Sequence, residues 1–307
     1  MKKVLIHAGY PKCASTYLQK KIFPVLKNYS NMAFAPRDEK YYPLRNDFDP
    51  VEFRKLVDKH TINHDDSKNH LIISCEDWAE LLFKEFEEVF FAFNGLDRSA
   101  HSFSNQVILR NFKAAYPQAD MLFVIREPAS YVLSRYKMLY RGAKTAKPVE
   151  AFLEHPTEGY DQVIERCRTL FGETRTHVVP FEMLQADVQA FVKTVTDLVD
   201  ADAVIPVSNE RVNAAPDFRW QVEYERVKKA TRFKLEKNGR TPAARIAYLI
   251  ARAWMAAIVR PRLQKRYGEE VFEVKMPPET KQRFAKSNHH VEELTGLDLS
   301  IYGYFTG

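Results

Sequence analysis

Lys3-Val4-Leu5-Ile6-His7-Ala8-Gly9-Tyr10-Pro11-Lys12-Cys13-Ala14-Ser15-Thr16-Tyr17-Leu18-Gln19 decides the fold. The apolar run over 3–7 is strand-length, and Gly9-Tyr10-Pro11 breaks it. Ser15 or Thr16 then caps a helix, giving strand, loop and helix in seventeen residues. The same grammar recurs down the chain. A second apolar run covers 70–75 and leads to Asp77-Trp78-Ala79-Glu80, a capping box that predicts another helix. A third, over 120–125, ends at Arg126-Glu127-Pro128 and passes into a helical stretch over 129–140. The fourth, over 177–180, follows a helix-like segment over 160–171. Short apolar strands without alternation, separated by helices, predict an α/β fold with a parallel sheet covered on both faces. From Asp217 onward the pattern predicts only helices, over 218–237, 242–266 and 278–293. The expectation is one domain over 1–307, with an α/β core over about 1–215 and a helical C-terminal region over about 216–307.

Composition narrows the function classes. The chain has 307 residues, 45% hydrophobic and 28% charged, so it can bury a substantial core. That balance excludes disorder, collagen-like repeats and a disulfide scaffold. No run of 18 or more uncharged apolar residues exists, which excludes a conventional membrane span. The apolar residues before His7 and Gly9 are too few for a signal peptide. Cys13, Cys75 and Cys167 lie far apart and form no zinc-ligand spacing, so a reducing cytoplasm is expected.

In an open parallel sheet, ligands bind beyond the carboxyl ends of the strands. The segment from Gly9 to Thr16 stands at such an end. It offers backbone N–H groups, a helix N-terminus, one cation and two hydroxyls, which together suit an anion. It is not the nucleotide loop G-x-x-x-x-G-K-S/T, because Lys12 precedes the small residues. A capped helix with a surface lysine accounts for the same residues.

Pro11-Lys12-Cys13-Ala14-Ser15-Thr16-Tyr17-Leu18 resembles the 5′-phosphosulfate loop of the sulfotransferase superfamily, bacterial type, whose members use 3′-phosphoadenylyl sulfate (PAPS). Ala14 stands where that loop usually has Gly, and its methyl group calls for a negative φ. The second anchor of the family is an Arg ending a strand, an acid, Pro, Ser six residues after the Pro, and an aromatic two residues further. Arg126-Glu127-Pro128, Ser134 and Tyr136 match it. The joint match is far more restrictive than either part.

The resemblance implies a P-loop-like α/β fold and transfer of a sulfuryl group from PAPS to a hydroxyl or amine, leaving adenosine 3′,5′-bisphosphate (PAP), with no metal. Lys12 would stabilise the leaving phosphate. Cys13, Ala14, Ser15 and Thr16 would hold the 5′-phosphate, and Arg126 and Ser134 the 3′-phosphate. Glu76 ends the second strand, where relatives place a catalytic base, although it can equally serve the cap at Asp77. His7 and His101 are weaker candidates for that base. Phe181, in Phe181-Glu182-Met183-Leu184, matches an aromatic beside the adenine, and core packing explains it as well.

Charge is uneven along the chain. Residues 211–266 hold fifteen Lys and Arg against four acids, a local +11 in a chain of net +6, so the remainder carries −5. Arg245, Arg252 and Arg260 share one face of the expected 242–266 helix. That helix reads as core or dimer packing with a basic stripe, or as an interfacial membrane helix at the inner face of the membrane. The implied acceptor is a carbohydrate or other hydroxyl-bearing molecule rather than nucleic acid. Two other readings are a P-loop-type kinase and a non-catalytic nucleotide-binding adaptor at a membrane surface.

Overall fold

The computed structural model describes residues 2–79, 96–101, 104–140, 158–200, 205, 219–221, 223–224, 227, 249–251, 253–268 and 276–306. Six strands form one sheet: β1 (Lys3–Gly9), β2 (Tyr29–Asn31), β3 (Thr61–Ile62), β4 (His70–Ser74), β5 (Asp120–Ile125) and β6 (Thr176–Pro180). Their spatial order is β3-β2-β4-β1-β5-β6, and every pair is parallel except β2 with β3. The α/β expectation holds, and the four expected strands are the four inner and right-hand members of this sheet. β2 and β3 escaped the sequence because three and two residues cannot display a periodicity.

All six residues of β5 and the last five of β1 are buried, as expected of strands covered on both faces. Each fully buried Leu, Ile or Phe contributes about 1.5–3 kcal/mol relative to exposure, so Leu5, Ile6 and Leu122 to Ile125 anchor the sheet. The helix Tyr160–Phe171 lies where the pattern predicted it and packs against both Asn105–Ala115 and Pro278–Thr295. Pro128–Tyr140 also matches its expected span to within one residue.

One local expectation is corrected. The helix after β1 opens as Ser15–Tyr17, continues as a π-turn Leu18–Ile22 and ends as Phe23–Leu26, but neither Ser15 nor Thr16 caps it. The N-cap position is Ala14, and Ser15 is already helical, so its hydroxyl turns back and donates to the Tyr10 carbonyl at 3.1 Å. Asp77 sits inside a 3₁₀ turn, Glu76–Ala79, and its carboxylate accepts from Lys40 Nζ and from the Tyr41 hydroxyl at 3.1 Å. Glu80 and the helix expected beyond it lie outside the described residues.

The chain forms two compact units. The first, 1–131, 152–212 and 276–307, contains the whole sheet. The second, 132–151 and 213–275, is helical at nearly all its described positions, including the π-turn Met255–Val259 and the helix Arg260–Tyr267. Of the helices expected over 218–237 and 242–266, positions 219–221, 223–224, 227, 249–251 and 253–266 are helical, and the others lie outside the described residues.

Candidate active site

β4, β1, β5 and β6 are adjacent and parallel, so their carboxyl ends share one edge of the sheet. Glu76, the 10–14 loop, Arg126 and Phe181 follow those four ends in turn. The β1 end and the Glu76 turn touch. A methyl group on Gly9 would stand 2.7 Å from Ala79 Cβ and 3.1 Å from the Glu76 carbonyl oxygen, a close approach that only glycine permits.

The loop itself departs from expectation. Ala14 has φ 59°, not a negative value, and Lys12 has φ 65°. Both are left-handed, the conformation glycine would adopt freely, and alternation of this kind turns successive N–H groups inward. Among the described residues, the N–H groups of Ala14, Ser15 and Thr16 find no acceptor, while that of Cys13 donates to the Tyr10 carbonyl at 3.2 Å. Cys13 is buried, with its thiol 3.6 Å from the Pro11 carbonyl. The left-handed state costs a residue with Cβ roughly 1–2 kcal/mol. Ala14→Gly relieves that, less about 0.4–1 kcal/mol for the freer unfolded chain. The net of about 0–1.6 kcal/mol should show in thermal melting as a Tm raised by up to about 6 °C; a lower Tm would show that Ala14 is not strained.

Arg126 ties the loop to the other strand ends. Its Nη1 donates to the Lys12 carbonyl at 3.2 Å, and its guanidinium lies 4.7 Å over the Phe181 ring. Its Nε is buried and has no partner among the described residues. Glu127 accepts from the N–H groups of Ala129 (2.9 Å) and Ser130 (2.7 Å), so the acid before Pro128 caps the helix Pro128–Tyr140. Glu182 accepts from the Glu127 N–H at 3.0 Å and from the Tyr304 hydroxyl at 2.9 Å, and burial raises its pKa. The Tyr160 hydroxyl donates to the Arg126 carbonyl at 2.9 Å. The turn at Arg126 is thus held from three sides. Ser134 is buried, the seventh residue of Pro128–Tyr140, in the part of that helix assigned to the second unit.

Glu76 has a partner that the sequence reading missed. Gln19 Nε2 donates to Glu76 Oε2 and lies 3.2 Å from Ser74 Oγ, which is 2.8 Å from His7 Nδ1. Gln19 stands one turn after Ser15 on the same helix, and no sequence signal pointed to its pairing with Glu76. Burial, followed by the neighbouring Asp77 carboxylate, raises the Glu76 pKa; the Gln19 hydrogen bond opposes the rise. His7 is fully buried, and desolvation pushes its pKa down to about 3. It is therefore a neutral ring behind Ser74, poorly placed to meet a substrate. His101 pairs with Arg45 in an isolated bridge, its Nδ1 2.9 Å from the Asp97 carbonyl.

A family model described as "Sulfotransferase family" matches residues 7–204, which include the loop, Glu76, Arg126 and Phe181. The chain belongs to the sulfotransferase family. The kinase reading falls with that match. No curated protein sequence matches this sulfotransferase. Among solved structures it is similar to a sulfotransferase from Alicyclobacillus acidocaldarius, 13% identical over 99% of both chains with a TM-score of 0.52, a likeness of fold. A mouse sulfotransferase, SULT7A1 complexed with PAP, aligns at 12% identity over 86% of this chain and 88% of that one, with a TM-score of 0.34. Among the described residues of the enzyme, no group of three or more His, Cys, Asp or Glu side chains could hold a metal ion.

Proposed function

We propose that this sulfotransferase moves a sulfuryl group from PAPS to a hydroxyl or amine acceptor, a carbohydrate by preference, in an in-line displacement. One observation supports the donor site above the others. The buried, unpartnered Nε of Arg126 sits in a side chain already bonded to the loop that bears Lys12. A buried guanidinium edge without an acceptor fits a phosphate, which takes its charge and its planar fork together. The unmatched N–H groups of Ala14, Ser15 and Thr16 fit a second anionic group in the same way.

In this reading PAPS, when bound, supplies the activated sulfuryl group. Lys12 would neutralise charge that builds on the departing phosphate, a stabilisation made during the reaction rather than before it. Cys13, Ala14, Ser15 and Thr16 would hold the 5′-phosphate, Ser15 as an acceptor or through its N–H, since its proton is given to Tyr10. Arg126 and Ser134 would hold the 3′-phosphate. Phe181 would face the adenine on one side while supporting Arg126 on the other. Glu76 would take the acceptor proton, its basicity raised by burial. Gln19 would fix which Glu76 oxygen stays available. This assigns charge neutralisation to side chains and backbone instead of a metal. Cytoplasmic residence belongs to the proposal as well, resting on three separate, buried, free thiols.

Nucleotide selectivity tests the donor. PAP in the presence of a chelator should raise Tm more than ATP or AMP at equal concentration, because only PAP presents both the 5′- and the 3′-phosphate. Greater stabilisation by ATP with magnesium would contradict it.

A further inference from the structure

Within the expected 242–266 helix, several described apolar residues are turned outward. Leu249 is 59% exposed, Ile250 64%, Trp254 47% and Ile258 37%, while Met255 alone of this run is buried. Ile250, Trp254 and Ile258 recur every four residues and so share a face. An exposed apolar face with tryptophan among aliphatics requires a partner.

The charge around it selects the partner. From Lys237 to Gly268 there is not one Asp or Glu, and eight Lys and Arg give the stretch +8. Arg260, Arg262, Lys265 and Arg266 crowd the turns directly after the apolar face and are exposed. A second copy of the chain would bring another +8 against the first, which opposes self-pairing. A soluble anionic polymer would meet the cations and leave the tryptophan in water. An anionic bilayer satisfies both, with the apolar residues entering the headgroup boundary and the cations resting on lipid phosphates. No helix among the described residues is long and apolar enough to cross a membrane, so the contact is peripheral.

We propose that the segment around 249–266 docks the protein on the surface of an anionic lipid bilayer. This goes beyond the transfer reaction and does not depend on it. The full-length chain is sedimented with vesicles of phosphatidylcholine alone and of phosphatidylcholine with phosphatidylserine, at low and physiological salt. It should bind the anionic vesicles, with affinity falling as salt rises. Trp254→Glu combined with Ile258→Glu should lower that affinity ~10-fold or more. Both positions are exposed, and an unchanged Tm would show that the variant folds. Three results would overturn the proposal: no sedimentation with anionic vesicles at low salt, equal binding of the variant, or binding to dextran sulfate without binding to vesicles.

Discussion

Glu76→Gln should cut turnover by roughly 10²–10⁴-fold, the usual contribution of a general base, and leave PAP affinity near that of the wild type. Glutamine keeps the shape and still meets Gln19, but it cannot take a proton from the acceptor. The raised pKa makes the expectation sharper. A base must be ionised to work, so the acidic limb of the wild-type rate profile should lie above the ordinary carboxylate range. Linkage has the opposite sign for stability. A carboxyl whose folded pKa is raised contributes stability below its unfolded pKa and loses it as pH rises through the folded value. Above the unfolded pKa the raised Glu76 carboxyl therefore weighs against the fold, and Glu76→Gln should melt higher than wild type at neutral pH. Lower activity with higher Tm would be the mark of a functional carboxylate held in a dry site. Wild-type turnover in Glu76→Gln, measured with a competent acceptor, would remove it from the mechanism.

Lys12→Ala should be damaging in a different way, lowering both turnover and nucleotide affinity. Lys12 lies in the same loop as the unmatched N–H groups, and its carbonyl is held by Arg126. Loss of a charge placed at a developing anion costs roughly 10²–10³-fold in rate. Because the same ammonium meets phosphate in the ground state, PAP affinity should fall too, by roughly 1.5–3 kcal/mol for a charge-assisted contact. The pair of variants separates the two sides of the reacting sulfur. Glu76→Gln should change rate alone, whereas Lys12→Ala should change rate and binding. Calorimetric PAP affinities set beside transfer rates check this, and an unaltered PAP affinity in Lys12→Ala would place its charge elsewhere.

Much of this architecture was legible in the sequence, for physical reasons that differ by element. β1, β4 and β5 announced themselves because both of their faces are largely buried, which leaves apolar runs, while the edge strand β6 showed only Val178 and Val179 between a His and a Pro. Arg126 and Glu127 were legible as a unit because Pro128 fixes a helix start and an acid before it makes a cap. The loop was legible in composition but not in conformation. Ala14 adopts the backbone that glycine favours, since the tight turn imposes φ more strongly than the methyl group resists it. Asp77 has partners that no local pattern showed, Lys40 and Tyr41, residues nearly forty positions away. Gln19 was hidden for a plainer reason. A lone glutamine on a helix has no spacing rule, and only the fold brings it to Ser74 and Glu76. The outward apolar face at Ile250 and Trp254 was ambiguous because periodicity gives a helix a face without saying what that face meets.

Titrating PAP and AMP into wild type and Arg126→Ala in chelator shows whether Arg126 reads a 3′-phosphate beside the Lys12 loop. Wild type should prefer PAP by roughly 10-fold or more, and the preference should collapse in the variant while AMP affinity changes little. Equal affinities of the wild-type enzyme for PAP and AMP would contradict that reading.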